Sequence, residues 1–249
     1  MSGKNTIYET FMLPSKGKVY DKEVNPCIGL TSMKAYQEMK RLSPTDMPYK
    51  VMSEIIEDCM ETKPDIPVYD MCLGDYQFLL TKLRVVTFGA EYKMSTSCPN
   101  CKEFVECIAD LDSLTVNEYD GSFNDLKVLE LPECGDTIEL NIQTPRMCDN
   151  IARKAKEMQK KTKLNMDYSL LFTLMALIKK INGTDANPAF IDEYCQNLGM
   201  KDVNAILRRA EEMNSKVGMD NSLVAICRNC GTEVITGFRI TSEFFGPTI

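Results

Sequence analysis

The sequence predicts an α+β fold, mainly α-helical, in which the helices carry a small β zinc-ribbon formed by two distant Cys-x-x-Cys hairpins. Three observations support this prediction. Apolar residues recur at helical spacing in several segments between residues 31 and 217. Apolar and polar residues alternate on both sides of CPNC, residues 98–101, and of CRNC, residues 227–230, as in half-buried strands. The two turns also have the same form, so the hairpins are expected to combine.

The first 92 residues are predicted to contain an extended segment followed by three helices. Pro and Gly residues break any helix in residues 1–30, and LPSKGKVY within that segment indicates a turn leading into a short strand. Thr31 or Ser32 is expected to cap the first helix, and Pro48 lies in the first turn of the second. The helices are predicted at residues 31–42, 48–61 and 75–92, the last ending near Gly89.

Three further segments are predicted along the chain. A first zinc-knuckle hairpin with short strands occupies residues 93–143, a helical region residues 144–217, and a second zinc-knuckle hairpin with a tail residues 218–249. Together with residues 1–92 they are expected to make one composite domain. The predicted elements are strands at residues 126–131 and 136–142 and helices at residues 144–163, 167–181, 189–198 and 201–217.

The chain of 249 residues contains no histidine. This excludes Ser-His-Asp and Cys-His nucleophiles, histidine general bases and zinc sites with imidazole ligands. No phosphate-binding sequence of the G-x-x-x-x-G-K-[ST] or G-x-G-x-x-G type occurs, and no pair of carboxylates stands out for acid–base chemistry. We therefore expect no catalytic residues and a protein that is not an enzyme.

Composition favours a reducing compartment and no membrane association. The first 20 residues lack the apolar core of a secretory signal, and the longest apolar run, residues 170–178, is too short to cross a bilayer. The 11 cysteines are therefore expected to be reduced thiols or metal ligands in a cytoplasm. A net charge of −7 argues against general nucleic-acid binding.

Four cysteines, Cys98, Cys101, Cys227 and Cys230, are the candidate metal ligands. Four thiolates complete a tetrahedron, and all-cysteine ligation is the structural zinc chemistry open to a chain without histidine. One structural zinc per chain is predicted, although four sulfurs also suit iron. The alternatives are two separate thiol pairs, a redox-active pair, and zinc shared between two chains.

The spacing of the two pairs is unusual. Residues 102–226, 125 in number, separate them, whereas a compact zinc ribbon has roughly 15–20 residues there. Closing so long a loop costs on the order of 4–5 kcal/mol, which zinc binding of roughly 10–16 kcal/mol offsets. The remaining cysteines are expected to be small buried hydrophobes or free thiols: Cys27, Cys59, Cys72, Cys107, Cys134, Cys148 and Cys195.

Two further segments have competing interpretations. Residues 146–163 carry seven Lys and Arg side chains against Asp149 and Glu157. A solvated helix face is favoured there over a docking site for an acidic partner or nucleic acid, because no aromatic residues are interleaved. Phe244 and Phe245 in the tail either pack on the ribbon or form an exposed hook for a partner.

Five sequence strings between Leu13 and Phe245 resemble the baseplate hub assembly proteins of T4-type tailed bacteriophages. In order they are LPSKGKVY, LGDYQFLLTKLRVVTFG, CPNC, CRNCG and the FF of the tail. The resemblance implies a non-enzymatic assembly factor that contacts other baseplate hub proteins in the host cytoplasm. The resemblance implies no catalytic residues. The four candidate zinc ligands are predicted from their spacing alone.

Two other functions compete with this assembly factor. A zinc-ribbon nucleic-acid-binding or transcription factor is favoured by the basic stretch and opposed by the net charge. An enzyme with a structural zinc insertion is opposed by the missing phosphate-binding loop. The oligomeric state stays open.

Overall fold

The computed structural model describes residues 6–163, 166–237 and 242–245. With 42% of the chain helical and 22% in strands, the fold is of the mixed α+β class, as predicted. The described helices are α1 (Ala35–Leu42), α2 (Pro48–Asp58), α3 (Leu73–Phe88), α4 (Pro145–Thr162), α5 (Ser169–Leu177), α6 (Pro188–Asn197) and α7 (Met200–Lys216). None of them is long and apolar enough to cross a membrane.

The strands in the described part of the chain are short, and each of their pairings is antiparallel. They are β1 (Glu9–Met12), β2 (Cys27–Leu30), β3 (Glu91–Ser97), β4 (Phe104–Asp110), β5 (Val116–Asn117), β6 (Val128–Glu130), β7 (Thr137–Leu140), β8 (Ile178–Ile181), β9 (Thr184–Asp185), β10 (Gly218–Met219), β11 (Ser222–Ile226) and β12 (Glu233–Gly237). One sheet has the order β6-β7-β8-β9, and the other strands form two-stranded sheets: β1 with β2, β3 with β4, β5 with β10, and β11 with β12. The extended N-terminal segment therefore contains a hairpin.

The predicted N-cap of the first helix is wrong. Helix α1 begins after Lys34, whose N–H donates to the side-chain oxygen of Gln37 at 2.7 Å. Thr31 continues the extended backbone of β2 instead, because its N–H donates to the carbonyl of Cys59 at 2.9 Å. Neither Thr31 nor Ser32 therefore caps the helix.

Two other helix ends lie where the sequence predicts them. Thr144 caps α4, since its hydroxyl oxygen accepts a hydrogen bond from the N–H of Met147 at 3.3 Å, and Pro145 occupies the first helical position. Helix α3 ends at Gly89, whose φ of 89° is a conformation that glycine adopts without steric penalty.

The helix predicted for residues 167–181 is too long at its C-terminal end. Helix α5 stops at Leu177, and the next four residues form β8, which places Ile178 opposite Leu140 of β7. Isoleucine favours strands, and pairing with β7 overrides the helical pattern. The strand predicted for residues 126–131 is likewise shorter, because it begins only at Val128, after a short 3-10 helix.

Apolar side chains collect in three clusters. The first lies among β2, α2 and α3, the second among β6 to β8 and α5 to α7, and the third between the two cysteine hairpins. Phe244 and Phe245 belong to the first cluster and are 0% and 2% exposed, so they form no exposed hook. The ring of Phe244 lies 5.3 Å from that of Tyr92 in β3, at the base of the first hairpin. The division into four segments remains a prediction.

Buried aspartates join segments that are distant along the chain. Asp149 of α4 accepts hydrogen bonds from the N–H groups of Tyr49 (3.3 Å) and Lys50 (2.9 Å), in the first turn of α2. It thus satisfies donors that helix α2 leaves without intrahelical partners. Asp202 of α7 likewise accepts hydrogen bonds from the backbone N–H groups of residues 133 and 134. Each carboxylate connects a helix to a segment some 70 to 100 residues away.

Arg84 of α3 connects this helix to the tail. It is 1% exposed, and its guanidinium donates to the carbonyl oxygens of Phe244 (3.1 Å), Gly89 (2.5 Å) and Glu91 (3.1 Å).

We expect Arg84→Met to lower the free energy of unfolding by about 3 kcal/mol, because three buried carbonyls lose a charged donor. Urea denaturation measures this difference. The exposed Arg208 of α7 is the control, and Arg208→Met should change stability by less than about 0.5 kcal/mol. Equal effects of the two changes would contradict the assigned role.

Candidate metal centre

The first cysteine turn connects β3 to β4. These strands pair in register from Glu91 opposite Asp110 to Ser97 opposite Phe104, which places the turn at the tip of the hairpin. The N–H of Cys98 donates to the carbonyl of residue 103 at 2.8 Å, and the N–H of residue 102 donates to the carbonyl of Cys98 at 3.0 Å. The turn is therefore closed by backbone bonds around the first cysteine.

The second turn, between β11 and β12, repeats this geometry. The N–H of Cys227 donates to the carbonyl of Thr232 at 2.9 Å, and the N–H of Gly231 donates to the carbonyl of Cys227 at 2.9 Å. The residue after the second cysteine is left-handed in both turns, with φ of 64° at Lys102 and 71° at Gly231. Glycine takes this conformation readily, and at Lys102 the ammonium group also donates to the carbonyl of Pro99 at 2.9 Å.

The two turns bring all four predicted cysteines together. Their sulfur atoms all lie within 4.8 Å of one another, with 3.6 Å between Cys98 and Cys230 and 3.5 Å between Cys101 and Cys227. The sequence separation of 125 residues is thus bridged by the fold. Within the residues that the structure describes, this is the one cluster of three or more Cys, Asp or Glu side chains arranged to hold a metal ion.

The geometry of the cluster fits a tetrahedral metal. Four sulfurs at the zinc–sulfur distance of about 2.3 Å have edges of about 3.8 Å, close to the two short separations found here. The four thiols are free, so no disulfide competes for them. Zinc and iron both suit four thiolates, and neither would have an open position for water or substrate in a complete set of four.

Burial differs among the four sulfur ligands. Cys98 and Cys227 are buried, Cys101 is half-buried, and Cys230 is exposed. The buried pair lies in the third apolar cluster together with Val105 of β4. One side of the site therefore rests on an apolar base, and the other faces solvent.

Hydrogen bonds around Cys230 favour its thiolate form. The hydroxyl of Thr232 lies 3.2 Å from the sulfur of Cys230 and receives a hydrogen bond from the side chain of Asn100, in the opposite turn, at 3.3 Å. Bonds from the side chain and the backbone of Thr232 lower the pKa of Cys230 to about 6. A thiolate is the form that binds a metal.

The other cysteines lie in different surroundings. Cys107 is buried in the same apolar cluster but is not among the four converging sulfurs. Burial raises the pKa of Cys59 to about 11 and that of Cys195 to about 12, so both remain neutral thiols at pH 7. Cys27 and Cys134 are exposed free thiols.

The amino-acid sequence from residue 7 to residue 246 matches the family model described as T4 bacteriophage base plate protein. The chain belongs to this family. Neither the curated proteins nor the solved structures include a significant match to it. The match spans both cysteine turns and every described strand and helix.

Two sequence strings of this base plate protein meet in the buried interior. Ser15, from LPSKGKVY, donates to the carboxylate of Asp75 in α3 through its N–H (2.9 Å) and its hydroxyl (2.5 Å), and Tyr20 donates its hydroxyl to the same carboxylate at 2.5 Å. Gly17 is required between them, because its φ is 71° and a Cβ there would lie 1.9 Å from the carbonyl oxygen of Val24. Burial raises the pKa of Asp75.

Sequence reasoning missed this cluster. The sequence contains one indication of it, a single aspartate at the third position of the strongly apolar helix that begins LGDYQFLL. A buried carboxylate is stable only when hydrogen-bond partners surround it. Its partner Ser15 lies 60 residues away, which no local pattern reveals. In this base plate protein the two strings therefore serve as a structural connection.

Proposed function

We propose that this chain is a non-enzymatic assembly factor for the phage tail baseplate hub, acting through contacts with other baseplate hub proteins in the host cytoplasm. The observation that carries the proposal is the family match over residues 7–246. We propose further that within this family the chain corresponds to the hub assembly catalyst, which the sequence resemblance implies to act during assembly without remaining in the finished particle. The chain would accordingly be needed during infection and scarce in virions.

One zinc ion per chain is proposed as a structural clamp. It would be held by Cys98, Cys101, Cys227 and Cys230, which belong to hairpins separated by most of the helical part of the chain. A metal bound there supplies a cross-link between the two hairpins and no reactive water, because four thiolates fill a tetrahedral site. The clamp would give the ribbon a rigid surface for partners.

The assignment of a non-catalytic role has two supports. The chain has no histidine, and its only described metal-type cluster is a complete set of four sulfurs. The buried Asp75 is engaged by Ser15 and Tyr20 and is closed off from solvent, so it serves the fold.

The competing nucleic-acid function has weaker support. Two of the seven basic side chains of residues 146–163 are paired with carboxylates on neighbouring segments. Arg146 contacts Asp70 at 2.5 Å, and Lys156 contacts Asp46 at 2.7 Å. These pairs favour the interpretation of α4 as a solvated helix face.

The test is affinity capture of the tagged chain from phage-infected cells, with mass spectrometry of the captured proteins and of purified virions. We expect hub proteins in the capture and little of this chain in virions. Abundant chain in virions would make it a structural subunit of the baseplate. Capture of nucleic acid or polymerase in place of hub proteins would overturn the proposal. The tag alone, expressed in the same infected cells, is the control.

A further inference from the structure

Exposed apolar side chains lie on the outward faces of the two cysteine hairpins. Large hydrophobic side chains project there into solvent from β4, β11 and β12, each between 64% and 81% exposed. Contiguous exposed apolar residues on a soluble chain often mark an interaction site. We call this surface the ribbon face, and it consists of Phe104, Ile108, Val224, Ile226 and Ile235.

Four of the five side chains of the ribbon face are neighbours in space. Val224 pairs directly with Ile235 across the β11–β12 ladder, and Ile226 follows on the same side of β11 two residues later. Phe104 of β4 and Ile226 line one groove of about 360 Å³ between the hairpins. The apolar surface therefore continues from one hairpin to the other.

The ribbon does not need these side chains for its own core. Along β4 the alternate residues Val105, Cys107 and Ala109 face inward and are about 5–6% exposed. On β12, Val234 is the buried counterpart. Because the inner faces alone form the third apolar cluster, the outward apolar residues are available for a partner.

Three exposed carboxylates lie beside the apolar side chains of the ribbon face, and Lys93 lies opposite Ile108 in the β3–β4 ladder. Glu103 and Glu106 line the groove, and Glu233 lies opposite Ile226 in the β11–β12 ladder. In the part of the chain that the structure describes, none of these three exposed carboxylates has an ion-pair partner within 4.0 Å. Arg228 is the single basic side chain that lines the groove. The surface thus offers apolar contacts beside unpaired acidic groups.

We infer that the ribbon face docks an extended segment of a partner protein in which the side chains on one face, two residues apart along the chain, alternate between apolar residues and Lys or Arg. The outward residues of β4 alternate in the same way, with Phe104, Glu106, Ile108 and Asp110 two positions apart. Strands β4 and β11 also belong to separate two-stranded sheets, so an edge of each is unpaired and suits an extended chain. This inference rests on the proposed function, since the partner would be a baseplate hub protein.

The first arm of the test uses the full chain and captured hub proteins. The double variant Phe104→Ser, Ile226→Ser should capture at least about tenfold less hub protein from infected cells than the wild-type chain does. Apolar anchors carry much of the binding energy of an interface. Met39→Ser is the matched control, since Met39 of α1 is 70% exposed but lies outside the ribbon face. Unchanged metal content and melting temperature would show that the double variant folds. Equal capture by the folded double variant would overturn the inference.

The second arm uses two synthetic eight-residue peptides, Val-Ser-Lys-Ser-Val-Ser-Lys-Ser (the Val–Lys peptide) and Val-Ser-Glu-Ser-Val-Ser-Glu-Ser (the Val–Glu peptide), which place Val and the charged residue on the same face of a strand. Binding is measured by fluorescence anisotropy. We expect the Val–Lys peptide to bind at least about tenfold more tightly than the Val–Glu peptide, and binding to weaken with salt and in the double variant. Equal binding of both peptides, or no effect of the double variant, would contradict the inference. A dimer in sedimentation that the double variant abolishes would also overturn it in favour of a second copy of this chain.

The two arms separate this inference from the proposed function. If the wild-type chain captures no hub protein but binds the Val–Lys peptide through the ribbon face, the proposed function fails and the docking chemistry stands. If hub proteins are captured equally by wild type and double variant, the proposed function stands and the ribbon face is not its surface.

Discussion

Cys227→Ser is expected to weaken metal binding at the four-cysteine cluster by at least about a hundredfold and to destabilise the ribbon. A serine hydroxyl is a poor substitute for a thiolate, and the three remaining sulfurs leave the site incomplete. If structural zinc binding is worth roughly 10–16 kcal/mol, one ligand in four accounts for about 3 kcal/mol, or a hundredfold in affinity. The loss of metal affinity should exceed this hundredfold, because Cys227 is buried and its sulfur contacts that of the first hairpin.

Metal analysis and circular dichroism of the purified variant measure this prediction. Cys107→Ser is the matched control, because Cys107 is buried in the same apolar cluster while lying outside the four converging sulfurs. It should retain one metal ion per chain and show only a modest loss of stability. A Cys227→Ser variant that holds its metal against a competing chelator as well as wild type does, or a Cys107→Ser variant that loses as much affinity, would contradict the assignment of the ligands.

Asp75→Ala is expected to lower the free energy of unfolding by about 3–5 kcal/mol, because it leaves buried donors of Ser15 and Tyr20 without an acceptor. Tyr20→Phe removes one of these donors and should cost about 1–2 kcal/mol. Asp125→Ala, at an exposed position, should change stability by less than about 0.5 kcal/mol. Chemical denaturation of the three variants measures the series, and a mild effect of Asp75→Ala would contradict the connection between the two segments.

The effect of Asp75 should also depend on pH. Burial raises its pKa in the folded state above the value in the unfolded chain, so the folded protein holds this proton more tightly. The stability that the carboxyl contributes is therefore fully present below the unfolded pKa of about 3.9 and decreases as the pH rises through the folded pKa. The stability difference between wild type and Asp75→Ala should accordingly shrink with rising pH. A difference that grows with pH would contradict this sign.

Local sequence patterns predict much of this fold. Apolar periodicity locates α2, α3, α4 and α7, and the Thr144–Pro145 pair marks the start of α4, because these features depend on neighbouring residues. The repeated Cys-x-x-Cys form also predicts that distant hairpins meet, since tetrahedral metal sites require four ligands from somewhere in the chain.

Features that depend on residues distant along the chain could not be predicted from local sequence patterns. Strand β8 exists because β7 pairs with it, although the preceding residues read as one long helix. Arg84 lies in an apolar helix and gives no sign that its partners are carbonyls of the tail and of the segment after α3. The ribbon face likewise cannot be told from a buried strand face by alternation alone, because alternation does not say which side is covered.

The proposed clamp is one metal ion that joins the two cysteine hairpins. The direct test is metal analysis with X-ray absorption spectroscopy at the zinc edge, on protein purified without chelators. We predict one zinc per chain, bound by four sulfur atoms at about 2.3 Å. Well under one zinc per chain, or nitrogen and oxygen atoms among the metal ligands, would contradict the clamp formed by Cys98, Cys101, Cys227 and Cys230.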